Sequence, residues 1–205
     1  VFADEQQPED LEKYGHTFQF DGAASMNKWD ATMSTIMVQS PTGTWIPVGH
    51  LLVSEECGDT VEAGLLKLRE WAPRWQWHYC LIDDSSRERK GLRAALPGLR
   101  IYLCTVHSRR TMMKHLGKQP TSLEFLNRAM HRYTEPGCVE DVDRAINRAT
   151  TNKAKTWIKK QYLPVWRRRM FGLFARQHST WLMQNTATQA IEGAFHRDLG
   201  RHGRS

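Results

Sequence analysis

The sequence contains no long hydrophobic run, and no stretch of it approaches the roughly 18 apolar residues that a membrane-spanning helix requires. Cysteine is scarce as well: there are four residues at unequal spacing, and two of them, Cys80 and Cys104, lie in apolar strand-like segments. That usage is typical of reduced, buried thiols rather than of a disulfide framework. These absences predict an intracellular protein that does not act in a membrane.

Internal repeats and low-complexity tracts are also missing. The chain opens on Val1 without a charged-then-apolar leader, so we expect a piece of a longer protein. Its 205 residues are enough for one core, or for a core with a smaller inserted domain. A hydrophobic share of 40% and eight tryptophans predict that this core is well packed.

Charge is distributed unevenly along the chain. Residues 1–100 carry 10 Lys and Arg against 15 Asp and Glu, whereas residues 101–205 carry 19 against 7, which gives net charges of −5 and +12. The basic half favours a polyanionic partner, because each phosphate contact releases counterions from a nucleic acid. A solvated basic face is the alternative explanation of the same excess.

Hydrophobic periodicity predicts a mixed first half. An acidic segment that looks like a linker (1–15) precedes five strand-like segments, at 16–21, 31–39, 44–54, 77–82 and 99–104. Helical patterns occupy 59–71, where Asp59 and Glu62 look like a capping pair, and 85–96. The order of three strands, helix, strand, helix and strand predicts an α/β fold of the RNase H-like type, with a mixed five-stranded sheet and flanking helices.

Strand signals disappear after Thr105. Pro120, the Glu135-Pro136-Gly137 break and Pro164 divide the remaining helical stretch into segments. We therefore predict an RNase H-like core over 16–107, an all-α insertion domain over 108–183, and a closing helix of the core over 184–205.

Two predicted strands end on an acid, the first on Asp21 and the fourth on Asp83. Functional groups gather beyond strand ends in open sheets, and two carboxylates placed there repel each other unless a cation neutralises them. A hard, oxygen-ligated ion such as Mg²⁺ meets that need. The alternative is that each Asp caps a turn or the next helix, although Asp84 or Ser85 can do this in place of Asp83.

Several motifs resemble those of Mutator-like transposases, over nearly the whole chain. They are FDGA at 20–23, DDSSRE at 83–88, Gly91-Leu92, Leu96-Pro97, LCTVH at 103–107 and QNTATQAIEGAFHRDL at 184–199. The chain resembles, less closely, bacterial transposases that share C-x-x-H and transposase-derived proteins with SWIM zinc motifs. Neither an N-terminal zinc finger nor a SWIM motif occurs in these 205 residues.

The resemblance implies a DDE transposase core in which Asp21, Asp83 and Glu192 hold two Mg²⁺ or Mn²⁺ ions. The implied reaction is cleavage and strand transfer of duplex DNA at terminal inverted repeats, in the nucleus, by a chain that forms homo-oligomers. Asp84 adjoins Asp83, and a shift of one residue reverses the direction of a strand side chain, so the register decides between the two acids. Before Glu192, the sequence has Thr188-Gln189-Ala190 where the family often has paired Asn.

Cys104 and His107 form the C-x-x-H pair, which is half of a tetrahedral zinc site. The other three cysteines show no paired spacing, so the sequence argues against zinc. The resemblance makes the pair a family marker outside the triad.

Basic residues in the second half are candidates for DNA contact. They are Arg109, Arg110, Lys114, Lys159, Lys160, Arg167 and Arg168, together with His196 one turn after Glu192. Trp157, Tyr162 and Trp166 alternate with some of them, and an aromatic ring can stack on an unpaired base. The alternative is that these aromatic residues and Ile158 form the buried stripe of a helix with the cations on its wet face.

Two other functions are compatible with these patterns. One is a domesticated, transposase-derived DNA-binding protein that keeps the fold without catalysis. The other is an RNA/DNA-hybrid ribonuclease, which shares the strand order but does not predict a long helical insertion before Glu192.

Overall fold

The computed structural model describes residues 1–23, 31–132 and 134–166. This part of the chain is an α/β structure with a mixed five-stranded sheet and seven α-helices, so the predicted α/β class with such a sheet is confirmed. Two compact units are present, Val1–Ile101 and the described residues from Tyr102 onward. None of the described helices has the length and apolar character needed to cross a membrane.

The strands correspond closely to the segments expected from the sequence. They are β1 (Thr17–Ala23), β2 (Thr32–Gln39), β3 (Trp45–Val53), β4 (Tyr79–Ile82) and β5 (Arg100–Leu103). Their order in the sheet is β3-β2-β1-β4-β5, with β1, β2 and β3 antiparallel and β4 parallel to β1. The central position of β1 explains why every residue from Thr17 to Asp21 is buried.

Two of the three helices in the first unit pack closely together, and one of these two packs on β3. The three are α1 (Gln7–Tyr14), α2 (Gly58–Trp71) and α3 (Ser86–Ala95). Gly64 and Gly91 permit this approach, because a Cβ atom would lie 2.3 Å from Leu51 Cδ2 at Gly64 and 2.6 Å from Val61 Cβ at Gly91. Glycine at these two positions thus sets the depth at which α2 packs on β3 and α3 on α2.

The predicted capping pair of α2 is wrong. Cys57 is the N-cap, and its backbone N–H donates to the Thr60 hydroxyl at 3.1 Å. Asp59 instead accepts a hydrogen bond from Lys90 at 2.7 Å. Thr60 lies three residues after the extended Cys57, where its short side chain reaches back to the cap, and this places the helix start one residue earlier than the sequence pattern did.

Residues 1–15 are not a linker. Phe2 bridges His50 of β3, and α1 buries Leu11 completely. Glu12 accepts hydrogen bonds from the Arg74 backbone and guanidinium at 2.7–2.9 Å, which ties α1 to the segment after α2. The sequence pattern did not predict this helix because the segment is acidic and Leu11 is the only residue that the helix buries. Helix prediction from periodicity needs a broader apolar face.

After the end of β5, the described residues of the second unit form helices joined by short connections. It contains α4 (Thr105–Leu116), α5 (Pro120–Met130), α6 (Glu135–Arg148), α7 (Asn152–Trp157) and a π-helix (Ile158–Trp166). The predicted division at Glu135-Pro136-Gly137 coincides with the start of α6, and Pro136 lies in its first turn, where a proline loses no intrahelical hydrogen bond. The predicted insertion boundaries at 108 and 183 stay predictions, and position 183 lies outside the described residues.

Candidate metal centre

Asp21 and Asp83 lie at neighbouring strand ends. The parallel register pairs Gln19 with Leu81, so a continuation by two residues places Asp21 of β1 beside Asp83, which directly follows β4. Asp21 is 6% exposed and Asp83 is half-buried. Acids 62 positions apart in the sequence are therefore adjacent in the fold.

Asp84 has different surroundings from Asp83. It is exposed, and its Oδ1 lies 3.2 Å from Arg89 Nη1 in an ion pair within the start of α3. Asp83 Oδ1 accepts a hydrogen bond from the Ser85 backbone N–H at 2.7 Å, while the Ser85 hydroxyl caps α3. Asp83 thus also supports the turn, as the capping alternative expected.

Glu56 and Glu88 approach the end of β1 as well, and sequence reasoning missed both. A Cβ atom on Gly22 would lie 3.5 Å from Glu88 Oε1 and 3.7 Å from Glu56 Oε2. Both acids therefore lie close to Gly22, the residue that follows Asp21 in β1. Glu88 shares helical spacing with buried Gly91, Leu92 and Ala95, and this spacing was the available signal that it points inward.

The four acids influence one another electrostatically. Burial, followed by the charges of Asp83, Asp21 and Glu56, raises the pKa of Glu88 well above its ordinary value. Burial and then the charge of Asp83 also raise the pKa of Glu56, against the opposing effects of Arg87 and Ser85. Glu88 is 2% exposed, and its Oε2 has no hydrogen-bond partner among the described residues. Burial and the neighbouring acids therefore disfavour the charged forms of Glu88 and Glu56 at this end of β1.

A hard cation fits this donor chemistry, because carboxylate oxygens are the ligands that Mg²⁺ and Mn²⁺ prefer. The unpartnered Oε2 of Glu88 and the unpartnered Oγ of Ser34, which lies next to Gly22, are further oxygens at the same place. Within the described residues, however, no three His, Cys, Asp or Glu side chains are arranged to hold a metal. Glu192, the third acid of the predicted triad, lies outside the described residues.

The C-x-x-H pair lies at the start of the second unit. Cys104 is fully buried at the N-cap position of α4, and His107 is half-buried in the first turn of that helix. Cys57 and Cys80, which precede them in the chain, belong to the first unit. The placement suits a buried thiol at a helix start.

The candidate DNA-contacting residues that the structure describes are exposed on two helices. Arg109, Arg110 and Lys114 belong to α4, and Lys159 and Lys160 to the π-helix. Arg167, Arg168 and His196 lie outside the described residues. Ile158 and Tyr162 are completely buried, whereas Trp157 is only half-buried. The buried stripe thus accounts for Ile158 and Tyr162 but leaves part of Trp157 accessible.

No protein-family model matches the chain, and no curated protein is significantly similar to it. The functional assignment therefore depends on the motifs and on the geometry described above.

Proposed function

We propose that the chain is the RNase H-like catalytic core of a Mutator-like DDE transposase, which cleaves and joins DNA strands with the help of Mg²⁺ or Mn²⁺. The observation that carries the proposal is the adjacency of Asp21 and Asp83 at the ends of two parallel strands. The sheet order β3-β2-β1-β4-β5 supports it, because RNase H-like folds have this order. The C-x-x-H pair directly after β5 is where the resemblance expects it.

The residues of the candidate metal centre have different roles in the proposed reaction. Asp21 is positioned by β1, which pairs with β2 at Asp21 itself and with β4 two residues earlier, at Gln19. Asp83 is oriented by the N–H of Ser85. These two acids and Glu192 would hold the ions, which when bound activate the attacking hydroxyl and stabilise the leaving oxygen. Gly22 keeps this end of β1 open, because it adds no side chain between Ser34, Glu56 and Glu88.

The proposed substrate is duplex DNA with terminal inverted repeats. Exposed cations on α4 and the π-helix support a polyanionic partner, since lysine and arginine on a wet face can contact phosphates. A nuclear location and homo-oligomer formation belong to the same proposal, because transposon ends lie in chromosomal DNA and must be brought together in pairs.

Nicking of supercoiled plasmid DNA in Mg²⁺ or Mn²⁺ tests the proposal. Asp21→Asn, Asp83→Asn and Glu192→Gln are expected to lower the nicking rate by about 100-fold or more, because each removes a charge that holds the ions. Asp84→Asn is the matched control: it changes the adjacent acid, which pairs with Arg89, and should retain nicking. Equal nicking by the wild type and all three variants would overturn the triad.

A domesticated DNA-binding protein without catalysis is the second candidate. The exposed basic residues on α4 and the π-helix favour it, because they can bind DNA without any metal centre. Metal-independent binding of plasmid DNA without nicking, under conditions where the wild type is folded, is the outcome that this candidate predicts. Cleavage restricted to RNA/DNA hybrids would instead indicate a ribonuclease.

A further inference from the structure

A groove of about 450 Å³ lies in the second unit, between the end of α4 and the α7–π-helix segment. Its lining combines aromatic, basic and amide side chains, from His115, Asn152, Lys153, Thr156, Trp157, Lys160 and Gln161. The volume is within the range of small-ligand sites, roughly 300–1,000 Å³, and is large enough for a nucleotide. All residues that line this groove belong to the second unit, whereas Asp21 and Asp83 of the candidate metal centre belong to the first.

The aromatic element is a stacked pair. The rings of His115 and Trp157 are 4.8 Å apart between centroids and only 14° from parallel. His115 is exposed, and Trp157 is half-buried. Partial burial and the positive charges of Lys114 and Lys153 lower the pKa of His115, so the imidazole is largely uncharged at neutral pH. The two uncharged rings therefore form a stack that reaches the surface at His115, and a third flat ring can stack against it.

The other side chains that line the groove can bind the phosphate groups and the base edge of a nucleotide. Lys153 and Lys160 are exposed, and the seven lining residues include no acid, so the groove favours an anion. The amides of Asn152 and Gln161 each present donors and an acceptor, as the edge of a base requires. Thr151 caps α7, and Gln119 donates to its hydroxyl at 3.1 Å, so one wall of the groove is held in place.

We propose that this groove binds an unpaired nucleotide of a DNA strand, with the base stacked on the His115–Trp157 pair and the flanking phosphates on Lys153 and Lys160. The choice of DNA depends on the proposed function, in which the protein handles strand ends. The site is sequence-tolerant, because every base offers a flat face for stacking.

Fluorescence anisotropy of the 205-residue chain with a labelled 12-nucleotide single strand tests the site, and a duplex of the same sequence serves as reference. Trp157→Leu is expected to weaken single-strand binding by about 10- to 100-fold, the usual effect of removing the partner of one stacked base. Duplex binding should change less than twofold. The double variant Lys153→Gln/Lys160→Gln should bind the single strand with a weaker salt dependence. The slope of log K against log salt concentration should become less steep by roughly 0.7 for each phosphate that the variant no longer neutralises.

Trp71→Leu is the matched control, because Trp71 is a partly exposed tryptophan of α2 in the other unit and lines no part of the groove. A strand with 2-aminopurine at its centre gives a second readout. Its emission should be quenched by the wild type and by Trp71→Leu, but not by His115→Leu, whose exposed ring can be removed with little risk to folding. Unchanged single-strand affinity and unchanged quenching in folded Trp157→Leu and His115→Leu would overturn the proposal.

The plasmid-nicking assay separates this proposal from the function on which it depends. Asp21→Asn should lose nicking and keep single-strand binding and quenching. If the wild type shows no nicking but single-strand binding depends on Trp157, the transposase proposal fails and the nucleotide site stands. If nicking follows the predicted acids but Trp157 has no effect on strand binding, only the nucleotide site fails.

Discussion

Each unit of the molecule contains a buried carboxylate, and the two have opposite surroundings. Glu88 in the first unit faces other acids, and its pKa is raised. Burial also pushes the pKa of Asp141 upward in the second unit, but hydrogen bonds and charges from Arg128 and Arg132 outweigh this and lower it to about 2. The arginines stabilise the charged form of Asp141, whereas burial and the neighbouring acids disfavour the charged form of Glu88. Asp141 is therefore a structural ion-pair partner, whereas Glu88 lies beside the candidate metal ligands without a neutralising cation among its influences.

The pairing of Asp141 is unusually complete. Both of its oxygens lie 3.0 Å from Arg128 Nε, and Oδ2 lies 2.6 Å from Arg132 Nε. The pair joins α5 to α6, since Arg128 belongs to the former and Asp141 to the latter. The two guanidinium side chains are 41% and 38% exposed, so water reduces the strength of the pairing without removing it.

The largest effect on stability is expected from Asp141→Asn. It should lower the free energy of unfolding by about 2–3 kcal/mol, somewhat less than the loss for a fully buried pair, because the arginines keep part of their hydration. Urea titration at pH 7 measures this, with exposed Asp143→Asn of the same helix as the control. Equal unfolding midpoints for the two variants would contradict the structural role of Asp141.

The same variant should also change how the free energy of unfolding depends on pH in the acidic range. The pKa of Asp141 is depressed in the folded protein, so its contribution is present above the ordinary value of 3.8 and is lost as pH falls toward about 2. In Asp141→Asn, the free energy of unfolding should therefore depend less on pH between these two values. Urea titrations at several acidic pH values measure this.

A divalent cation is expected to have the next largest effect, in the first unit. Ligand binding to the folded state alone stabilises by about 2.7 kcal/mol at 100 times Kd, so saturating Mg²⁺ or Mn²⁺ should raise the unfolding midpoint by several degrees. Asp21→Asn and Asp83→Asn should reduce this shift, and Asp84→Asn should retain it. Calorimetry with and without the ion measures it. A shift that persists in the double variant Asp21→Asn/Asp83→Asn would place the ion elsewhere.

The smallest effect is expected from Glu88→Gln without added metal. The variant should be more stable than the wild type at neutral pH by roughly 1 kcal/mol, because a neutral amide replaces a buried carboxyl group that faces Asp83, Asp21 and Glu56. The pKa of Glu88 is raised in the folded protein, so the wild type loses stability as pH rises above the ordinary value of 4.5, and Glu88→Gln should lose less. Thermal unfolding from pH 4.5 to 8 checks this, with exposed Glu55→Gln as the control. A destabilised Glu88→Gln would contradict this prediction.

Much of the fold was predictable, because each strand and helix is encoded locally. The strand-like segments 31–39 and 44–54 correspond to the antiparallel neighbours β2 and β3, and Gly43 between them adopts a positive φ of 81°. Helix α1 was missed since its apolar face is little more than Leu11. The cap of α2 was misplaced because Asp59 is the commoner capping residue, and only the backbone geometry reveals Cys57 in that role.

The candidate site was predictable only in part. Asp21 and Asp83 could be named because each ends a strand-like pattern. Glu56 and Glu88 could not, since one follows a strand by three residues and the other lies in a helix. Their approach to Gly22 depends on how α3 packs against α2, which no local pattern describes.

The sequence alone determined the order of strands and helices, the charge difference between the halves, and the presence of acids at the ends of two strand-like segments, Asp21 and Asp83. These follow from periodicity and composition, which act over a few residues. The tertiary structure decided that β4 pairs in parallel with β1, that Asp21 therefore adjoins Asp83, and that Glu88 is buried beside them while Asp141 is neutralised. Pairing and burial depend on contacts between segments far apart in the chain, and their energies arise only when those segments meet.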